Sequence, residues 1–387
     1  MKLVFLSNFA LDANVSLVKE LNQQCDVYFI TEALYRVYNY LDKEKLSKML
    51  SVGTDVEELQ LFSDFLPLSK TFVVRGVPNR QILKKLWISY QTHRLVKKIK
   101  PDIVMVDCQW GLSYIFTTLR YRKVTLSVVH DPFPHSGEGK FVSQLFRNFF
   151  FALIPNKLLL NKAQRQQFIE ANKQDANNTF SSFLSVYTYL TCFAPKETIY
   201  DGNNFNLLFF GRISPYKGIK YLLDAFVNIT EQNKIENITL TIAGSGDFNF
   251  DIAPYEKYGN ITIINRFVES DELAGLVQNS SAVVCPYTDA TQSGVVMTAF
   301  AFKKPVIATC TGGLPEMITH RETGLIVEPK NVEELESAII TLHNNPDLLK
   351  TMEKNIEKEY FHNGKRSWRV AAQRFTDAFN RIITQKK

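Results

Sequence analysis

The sequence lacks the paired cysteines that a disulfide framework or a zinc site requires. Its five cysteines are scattered and form no C-x-x-C pair, which is typical of a protein from a reducing compartment. No stretch approaches the ~18 uninterrupted apolar residues of a membrane span, and the most apolar segment, NFFFALIP at 148–155, ends at a proline. We therefore expect a cytoplasmic protein, and a peripheral contact with the inner face of the plasma membrane stays open.

Two nucleotide-binding motifs are also missing. The segment AGSGDF at 243–248 lacks the third glycine of a G-x-G-x-x-G fingerprint, and the chain contains no G-x-x-x-x-G-K-[ST] phosphate loop. No acidic D-x-D motif follows a predicted strand. These absences disfavour a dinucleotide-dependent dehydrogenase, and we expect neither a metal ion nor a cofactor.

Length and charge indicate two unlike halves. A chain of 387 residues exceeds what one hydrophobic core usually supports. Residues 1–195 carry 24 Lys and Arg against 16 Asp and Glu, whereas the remainder carries 21 against 23. The basic first half favours an anionic surface or acceptor, although a solvated basic face without a partner explains the count at least as well.

Short apolar runs alternate with helix-length amphipathic stretches along both halves. The predicted strands are KLVFLS (2–7, a strand rather than a signal peptide), DVYFI (26–30), DIVMVD (102–107), VTLSVVHD (124–131), FNLLFFG (205–211), NITLTIAG (237–244), NITIIN (260–265), SAVVCPY (281–287), KPVIAT (304–309) and TGLIVEP (323–329). Helices are predicted at 79–100, 218–232 and 332–344. Such alternation predicts a parallel sheet covered on both faces. Because it occurs twice, we predict an α/β protein of two doubly wound, Rossmann-like domains.

The predicted domain boundary lies in FAPKETIYDGNNF at 193–205, where Pro, Gly and Asn cluster. The first domain then comprises residues 1–195 and the second residues 196–365. The last segment, 366–387, repeats apolar residues at helical spacing. This pattern alone does not decide whether the helix packs on the first domain or on the second.

Three loops of the second half are candidates for a binding site, because ligands of open parallel sheets bind beyond the carboxyl ends of the strands. The loop GRISPYKG at 211–218 brings together Arg212 and Lys217 with no carboxylate between them. In the second loop, Ser293 and Gly294 begin an apolar helix whose free amides and positive dipole end suit a diphosphate. The third loop, TCTGGLPEMI at 309–318, has a glycine pair before a helix. Each feature alone is more simply explained as a surface cation pair or a helix cap. Their combination predicts a pyrophosphate site.

These stretches also carry a resemblance to a known family. The matching segments, which cover 206–329 almost continuously, are FFGRISPYKGIKYLLDAF, TLTIAGSG, SDELAGLVQNSSAVVCPY, SGVVMTAFAFKKPVIATCTGGLPEMI and ETGLIVEP. They resemble the nucleotide-sugar-binding domain of retaining GT-B-fold glycosyltransferases, the group 1 transferases of bacterial capsule and lipopolysaccharide synthesis. The resemblance implies two domains facing a cleft, with the last helix crossing back to the first. It also implies metal-independent transfer of a hexose-type sugar from a UDP- or GDP-sugar to a glycan or lipid-linked acceptor of surface polysaccharide.

The resemblance implies roles for individual residues. Arg212 and Lys217 would hold the donor diphosphate, and with His130 they form the predicted catalytic set. The predicted donor-binding residues are Gly211, Arg212, Lys217, Phe267, Val268, Gln292, Ser293, Gly294, Val295 and Thr298. The loop HDPFPHSGE at 130–138 resembles the acceptor-side loop of the family, and its predicted acceptor-side residues are Asp131, His135 and Glu138.

One departure from the family pattern concerns its E-x7-E glutamates. Ala290 and Thr298 stand where these carboxylates would be, and a threonine supplies only one weaker contact to ribose. Two alternatives therefore stay open beside the transferase. One is a catalytically inactive nucleotide-sugar-binding subunit. The other is a sugar-nucleotide epimerase, which would need acid and base carboxylates that these loops scarcely contain.

Overall fold

The computed structural model describes residues 1–8, 11–34, 41–78, 80–107, 112–130, 132–133, 141–162, 164–195, 204–290 and 292–386. The chain divides into two compact units, Met1–Ser185 with Arg366–Lys387 and Val186–Lys365. Each unit contains one largely or wholly parallel sheet connected through helices, which confirms the predicted fold class.

The first unit contains an eight-stranded sheet. Its strands are β1 (Lys2–Ser7), β2 (Asp26–Ala33), β3 (Leu50–Val52), β4 (Thr71–Arg75), β5 (Ile103–Asp107), β6 (Thr125–Val129), β7 (Asn156–Leu159) and β8 (Thr179–Ser181). They follow the order β3-β4-β2-β1-β5-β6-β7-β8, and only β3 pairs antiparallel. The central strands β1 and β5 are buried almost throughout, because helices cover both faces of such a sheet. This explains why their sequences are continuous apolar runs.

Within its described residues, the first part of this unit contains six helices. They are α1 (Leu11–Leu21), α2 (Glu57–Gln60), α3 (Ile82–Ile99), α4 (Ile115–Tyr121), α5 (Phe141–Leu153) and α6 (Arg165–Asn172). The longest, α3, buries Ile88, Val96 and Ile99 at helical spacing. Its last turn ends at Lys100 in the left-handed conformation, immediately before the proline that prevents its continuation.

The second unit contains a six-stranded, entirely parallel sheet. Its strands are β9 (Phe205–Phe210), β10 (Ile238–Gly244), β11 (Ile261–Asn265), β12 (Ala282–Cys285), β13 (Val306–Thr309) and β14 (Gly324–Val327). Their order is β11-β10-β9-β12-β13-β14. The helices are α7 (Ile219–Glu231), α8 (Ala253–Glu256), α9 (Ser270–Gln278), α10 (Gly294–Ala301), α11 (Leu314–Met317), α12 (Val332–Asn344) and α13 (Pro346–Tyr360). All six strands lie within the segments predicted from the sequence.

The last helix, α14 (Trp368–Lys386), belongs to the first unit. It packs along α1, and the Thr376 hydroxyl donates to Gln24 Oε1 at 2.6 Å. The main-chain boundary follows Ser185 and thus precedes the Pro- and Gly-rich segment at 193–205. The reason is local packing: the amide of Tyr187 donates to the carbonyl of Met297, a residue of the second unit. Among the helices of the described residues, none combines the length and apolarity needed to cross a membrane.

Candidate functional site

The second unit has a topological switch point between β9 and β12. From β9 the chain proceeds to β10 and β11 on one side of the sheet, and then to β12, β13 and β14 on the other. In open parallel sheets, such a reversal opens a crevice beyond the carboxyl ends of the two neighbouring strands. The loops that flank this crevice are 211–218 after β9 and 286–293 after β12. They are two of the three candidate loops predicted from the sequence.

The two loops are joined by close backbone contacts. The amide of Thr288 donates to the carbonyl of Tyr216 at 2.8 Å. Gly218 has a φ of +64°, and a Cβ at this position would lie 1.9 Å from the carbonyl oxygen of Pro286. Only glycine therefore allows this approach. The contact holds Lys217, the preceding residue, against the loop after β12.

The N-terminus of α10 lies beside the end of β9. The Ser293 hydroxyl caps the helix by accepting from the amide of Val296 at 3.4 Å. Among the described residues, the amides of Gly294 and Val295 have no hydrogen-bond partner, as expected for a first helical turn. A Cβ on Gly211 would lie 3.5 Å from Val295 Cγ2. The structure thus brings together two free amides and the loop that carries the predicted cations.

Lys217 has an unusual environment for a cation. Its ammonium lies 3.7 Å from the centroid of the Tyr287 ring, a distance at which the ring face attracts a positive charge. Burial lowers the pKa of Lys217 to about 8, and the positive charge of Arg212 also lowers it. The lysine is therefore mainly charged at neutral pH. A dianionic group bound beside it would remove the electrostatic cost of holding two cations together.

The groups beneath Lys217 do not neutralise it. Tyr287 is completely buried, and its hydroxyl lies 3.4 Å from Ser293 Oγ. Burial raises the pKa of Tyr287 well above its usual range and that of the Cys285 thiol to about 11. Both groups are neutral at neutral pH. They are buried, uncharged polar groups on which Lys217 packs, whereas Lys217 and the helix amides supply the positive potential.

The remaining predicted donor residues lie at the same edge of the sheet or within α10. Phe267 and Val268 follow β11, and the Phe267 ring is exposed and thus available for stacking on a base. Gln292 immediately precedes the cap of α10 and is partly buried. Thr298 is only 4% exposed, so little of its surface is available to a ribose. The binding roles of these residues stay predictions.

Tyr187 is a residue of this region that the sequence analysis missed. A Cβ on Gly294 would lie 3.1 Å from Tyr187 Cε2 and 3.3 Å from its hydroxyl. The tyrosine ring thus packs at the N-terminus of α10. No motif marks it, because it precedes the predicted boundary and is far in sequence from the residues that it contacts.

His130, the predicted catalytic residue of the first unit, follows β6. Its Nε2 donates to Asp107 Oδ1 at 2.6 Å, and the carboxylate is almost completely buried at the end of β5. An ionised carboxylate can only accept, so the proton of this hydrogen bond is on Nε2. Asp107 Oδ2 accepts from Asn14 Nδ2 at 2.6 Å, and the same nitrogen donates to Ser7 Oγ at 2.9 Å. The histidine is thus held by a chain of buried polar groups.

Neither Asp107 nor Asn14 was among the predicted site residues. The available signal was an aspartate at the carboxyl end of the predicted strand DIVMVD. The predicted acceptor-side residues Asp131, His135 and Glu138 lie outside the described residues. Within the described part of the chain, no group of three His, Cys, Asp or Glu side chains is arranged to hold a metal ion.

Comparison with known proteins bears mainly on the second unit. Residues 194–359 match the family model of glycosyl transferases group 1. An uncharacterised glycosyltransferase of Haemophilus influenzae is 26% identical over 67% of this chain and 72% of its own length. One of Methanocaldococcus jannaschii is 31% identical, but the match spans only 41% of this chain and 44% of that relative. The family match and the relatives together support glycosyltransferase function.

Solved structures share the fold of the whole chain at low sequence identity. Sucrose-phosphate synthase from Thermosynechococcus elongatus superposes with a TM-score of 0.68 at 14% identity, covering 100% of both chains. Anabaena HepE in complex with UDP-glucose gives 0.61 at 16% identity and covers 100% of this chain and 99% of its own. A UDP-N-acetylglucosamine 2-epimerase gives 0.61 at 15% identity and covers 97% of this chain and 94% of its own. At such identities these likenesses show a common fold.

Proposed function

We propose that this chain is a retaining, metal-independent glycosyltransferase that moves a hexose-type sugar from a UDP- or GDP-sugar to a glycan or lipid-linked acceptor of surface polysaccharide. The observation that carries the proposal is the convergence of Lys217, Arg212 and the free amides of α10 at the switch point of the second unit. The group 1 family match over 194–359 supports the same reaction class.

The donor diphosphate is the group that this end of the sheet suits best. Arg212 presents a fork of N–H donors, and Lys217 a compact charge held against Tyr287. The amides of Gly294 and Val295 add the positive end of the α10 dipole. Lys217 and the helix amides are held in place before the donor arrives, and therefore need little reorganisation as negative charge develops on the leaving diphosphate.

In the proposed reaction, the bond between the anomeric carbon and the diphosphate oxygen breaks, and a bond to the acceptor hydroxyl oxygen forms on the same face. The hydroxyl proton passes to the departing diphosphate oxygen, which then leaves as the nucleoside diphosphate. Arg212 and Lys217 stabilise the charge on this leaving group. His130, oriented by Asp107, is the catalytic residue proposed from the first unit. The anomeric configuration is retained because the acceptor oxygen bonds to the carbon on the face from which the diphosphate leaves.

The main rival is a nucleotide-sugar-binding subunit without catalytic activity. It is favoured by Ala290 and Thr298, which are both buried and neither of which is a carboxylate. An epimerase is less well supported, since its likeness to this chain is one of fold alone. Both rivals make different predictions for the same experiment.

The experiment is incubation of the purified protein with a panel of UDP- and GDP-hexoses and an extract of lipid-linked glycans. Release of nucleoside diphosphate together with a glycan product whose new linkage keeps the anomeric configuration of the donor, read by NMR, would support the proposal. Interconversion of two nucleotide sugars without an acceptor would identify an epimerase instead. Donor binding without turnover, measured by calorimetry, would favour the binding subunit.

We also propose that the first unit contacts an anionic membrane surface, where a lipid-linked acceptor would be found. The outer face of α3 exposes Leu83, Trp87 and Tyr90 by 83%, 51% and 49%. These residues are spaced four and three apart, so they form one stripe along the helix. The stripe extends to α4, since the Tyr90 and Phe116 ring centroids are 6.1 Å apart.

The charge of this face suits the same partner. Neither α3 nor α4 contains an Asp or Glu. The exposed Arg94, Lys97 and Lys98 continue the stripe toward the end of α3. Aromatic side chains beside uncompensated basic residues are typical of helices that lie in a membrane interface, where each cation contributes about 1 kcal/mol near anionic lipid.

Helix α5 has two faces with different environments. Phe150 is buried and belongs to the core, whereas Leu145, Phe146 and Phe149 are exposed. This helix also contains no Asp or Glu. It follows that core packing explains only one of its faces, and the other can add apolar area to the proposed membrane contact.

A further inference from the structure

A groove of about 630 Å³ lies at the outer edge of the sheet of the first unit. We call it the edge groove. It is bounded by the edge strand β8, by the start of α6 and by α14. Two segments separated by about half the chain thus form one concavity. Its lining residues are Lys162, Arg165, Gln166, Ala176, Thr179, Phe180, Ser181, Arg374, Asp377, Ala378 and Arg381.

The edge groove has an uncompensated positive charge. Four of its lining residues, Lys162, Arg165, Arg374 and Arg381, are cations, whereas Asp377 is its single acid. Within the described residues, none of the four cations makes an ion pair with a carboxylate. Asp377 accepts from the Gln373 side chain at 2.9 Å. Repulsion among the four charges would be relieved by a bound anion.

Arg165 is fixed across the edge strand by neutral partners. Its Nε donates to the carbonyl of Thr179 at 2.8 Å, and one terminal nitrogen donates to the carbonyl of Ala176 at 2.7 Å. Carbonyl oxygens orient the guanidinium without cancelling its charge. The unused N–H groups of the same guanidinium remain in the groove as potential donors to a ligand.

The two arginines of α14 are also held by uncharged groups. The Arg374 guanidinium lies 4.8 Å from the Phe183 ring centroid. Arg381 donates to Asn177 Oδ1 at 3.2 Å and lies 5.9 Å from the Phe180 ring. Stacking on an aromatic ring leaves the edge of a guanidinium open for hydrogen bonding. All three arginines are therefore positioned in advance, and little conformational entropy is lost when they bind a ligand.

We propose that the edge groove is a binding site for a ligand that carries two or more phosphate groups. Guanidinium groups bind phosphate oxygens in pairs, which makes several fixed arginines well suited to such a ligand. The volume falls in the range of small-molecule sites. All residues that line the groove belong to the first unit, and none of them is among the predicted donor-binding residues. We therefore propose this ligand as a second one beside the sugar donor. A soluble oligophosphate and a lipid headgroup with two phosphates offer the same chemistry.

The test uses inorganic tripolyphosphate as the probe and titration calorimetry of the full chain at low salt. The parent for all variants is Arg212→Ala with Lys217→Ala, which removes the cations of the second unit from the measurement. The groove variant adds Arg374→Gln and Arg381→Gln. The control adds Lys48→Gln and Arg369→Gln, two exposed cations of the same unit that do not line the groove.

The expected result is at least a tenfold weaker affinity for tripolyphosphate in the groove variant and a change of less than twofold in the control. Equal weakening in both variants, or no binding by the parent, would overturn the proposal. Because Arg374 and Arg381 contact Phe183 and Asn177, circular dichroism must show that the groove variant is folded. If it is not, Lys162→Gln, which removes a charge without a contact, replaces it and must weaken binding at least threefold.

A second arm separates the two sources of the ligand. Binding to vesicles of phosphatidylcholine with one-fifth cardiolipin, a lipid with two phosphates, is compared between the parent and the groove variant. Both chains also carry Lys97→Glu, Lys98→Glu and Lys100→Glu, so that the α3 face does not contribute to vesicle binding. Loss of both vesicle binding and tripolyphosphate binding would support a lipid headgroup. Loss of tripolyphosphate binding alone would support a soluble ligand. Unchanged binding to both would overturn the proposal, whatever the outcome for glycosyl transfer.

Discussion

The ammonium group of Lys217 lies 3.7 Å from the centroid of the buried Tyr287 ring. This contact fixes the lysine at the end of β9 while burial lowers its pKa to about 8. The attraction of the ring for the cation opposes the effect of burial, since it favours the charged form. The result is a lysine that is charged at neutral pH but titrates only about one unit above it.

Donor binding should therefore weaken as the pH rises above 8. A diphosphate favours the charged form of Lys217, so binding raises its pKa and requires proton uptake once the free enzyme has lost that proton. Affinity should fall by up to about tenfold for each pH unit above 8. Calorimetry with the nucleoside diphosphate between pH 7 and 9 measures this. Lys217→Arg is the control. Its guanidinium keeps its charge, so its affinity for the nucleoside diphosphate should hardly change between pH 7 and 9. A wild-type profile that is equally flat would contradict the assignment.

Removal of either cation should weaken donor binding. We expect Arg212→Ala and Lys217→Ala each to cost about 1.5–3 kcal/mol of binding free energy, the usual contribution of a charge-assisted hydrogen bond. The double variant should cost less than the sum, because we propose that both cations contact the same ligand. Measuring the nucleotide affinities of the wild type, the two single variants and the double variant gives a double-mutant cycle, from which the coupling between the two cations is obtained. Arg321→Ala, at an exposed turn of the same unit, is the control. Strict additivity, or unchanged affinity in both single variants, would count against a shared diphosphate.

Transfer activity should persist in excess EDTA. In the proposed mechanism, the positive charges of Arg212, Lys217 and the α10 N-terminus take the place that a divalent ion has in metal-dependent transferases. The measurement is the initial rate of nucleoside diphosphate release with and without chelator. Complete loss of activity that is restored by Mg²⁺ or Mn²⁺ would refute metal independence.

Asp107→Asn should reduce turnover through His130. Asp107 accepts from both His130 and Asn14, and an asparagine has only one oxygen for these two donors. We expect kcat to fall about tenfold, and His130→Ala to lower it by about 10–100-fold, as removal of a strong hydrogen bond would.

Coupling between the two substitutions distinguishes positioning from a purely structural role. In the His130→Ala background, Asp107→Asn should have little further effect on kcat, although it still lowers the unfolding temperature. An equal loss of kcat in both backgrounds would show that Asp107 does not act through the histidine.

Charge reversal on α3 should weaken binding to anionic vesicles. Lys97, Lys98 and Lys100 are exposed near the end of this helix, and their replacement by Glu turns attraction to the lipid surface into repulsion. Sedimentation with phosphatidylglycerol-containing vesicles at low and high salt should show salt-sensitive binding by the wild type and strong loss in the variant.

The matched control for this experiment reverses three exposed lysines of α13 in the second unit and should bind as the wild type does. These residues are Lys350, Lys354 and Lys358. Trp87→Ser tests the apolar part of the α3 face separately. No binding of the wild type to vesicles at low salt would make a soluble acceptor the better hypothesis.

Much of the architecture is accessible to local sequence reasoning because it depends on local periodicity. Buried parallel strands must be continuously apolar, and so β1, β5 and all six strands of the second unit were predictable. By contrast, β3 and β8 contain three residues each, too few for a pattern to emerge. The loop at 211–218 was recognisable because a glycine at a strand end and two nearby cations are a local signal.

By itself, the sequence determined the strand and helix alternation, the candidate loops after the strands and the start of α10, since each depends on neighbours along the chain. Only the tertiary structure decided which distant groups meet. It paired His130 with Asp107, placed Tyr187 at the N-terminus of α10 and completed the edge groove with α14. These contacts depend on strand order and on burial. Both are properties of the whole fold, because they follow from the packing of segments that no local pattern connects.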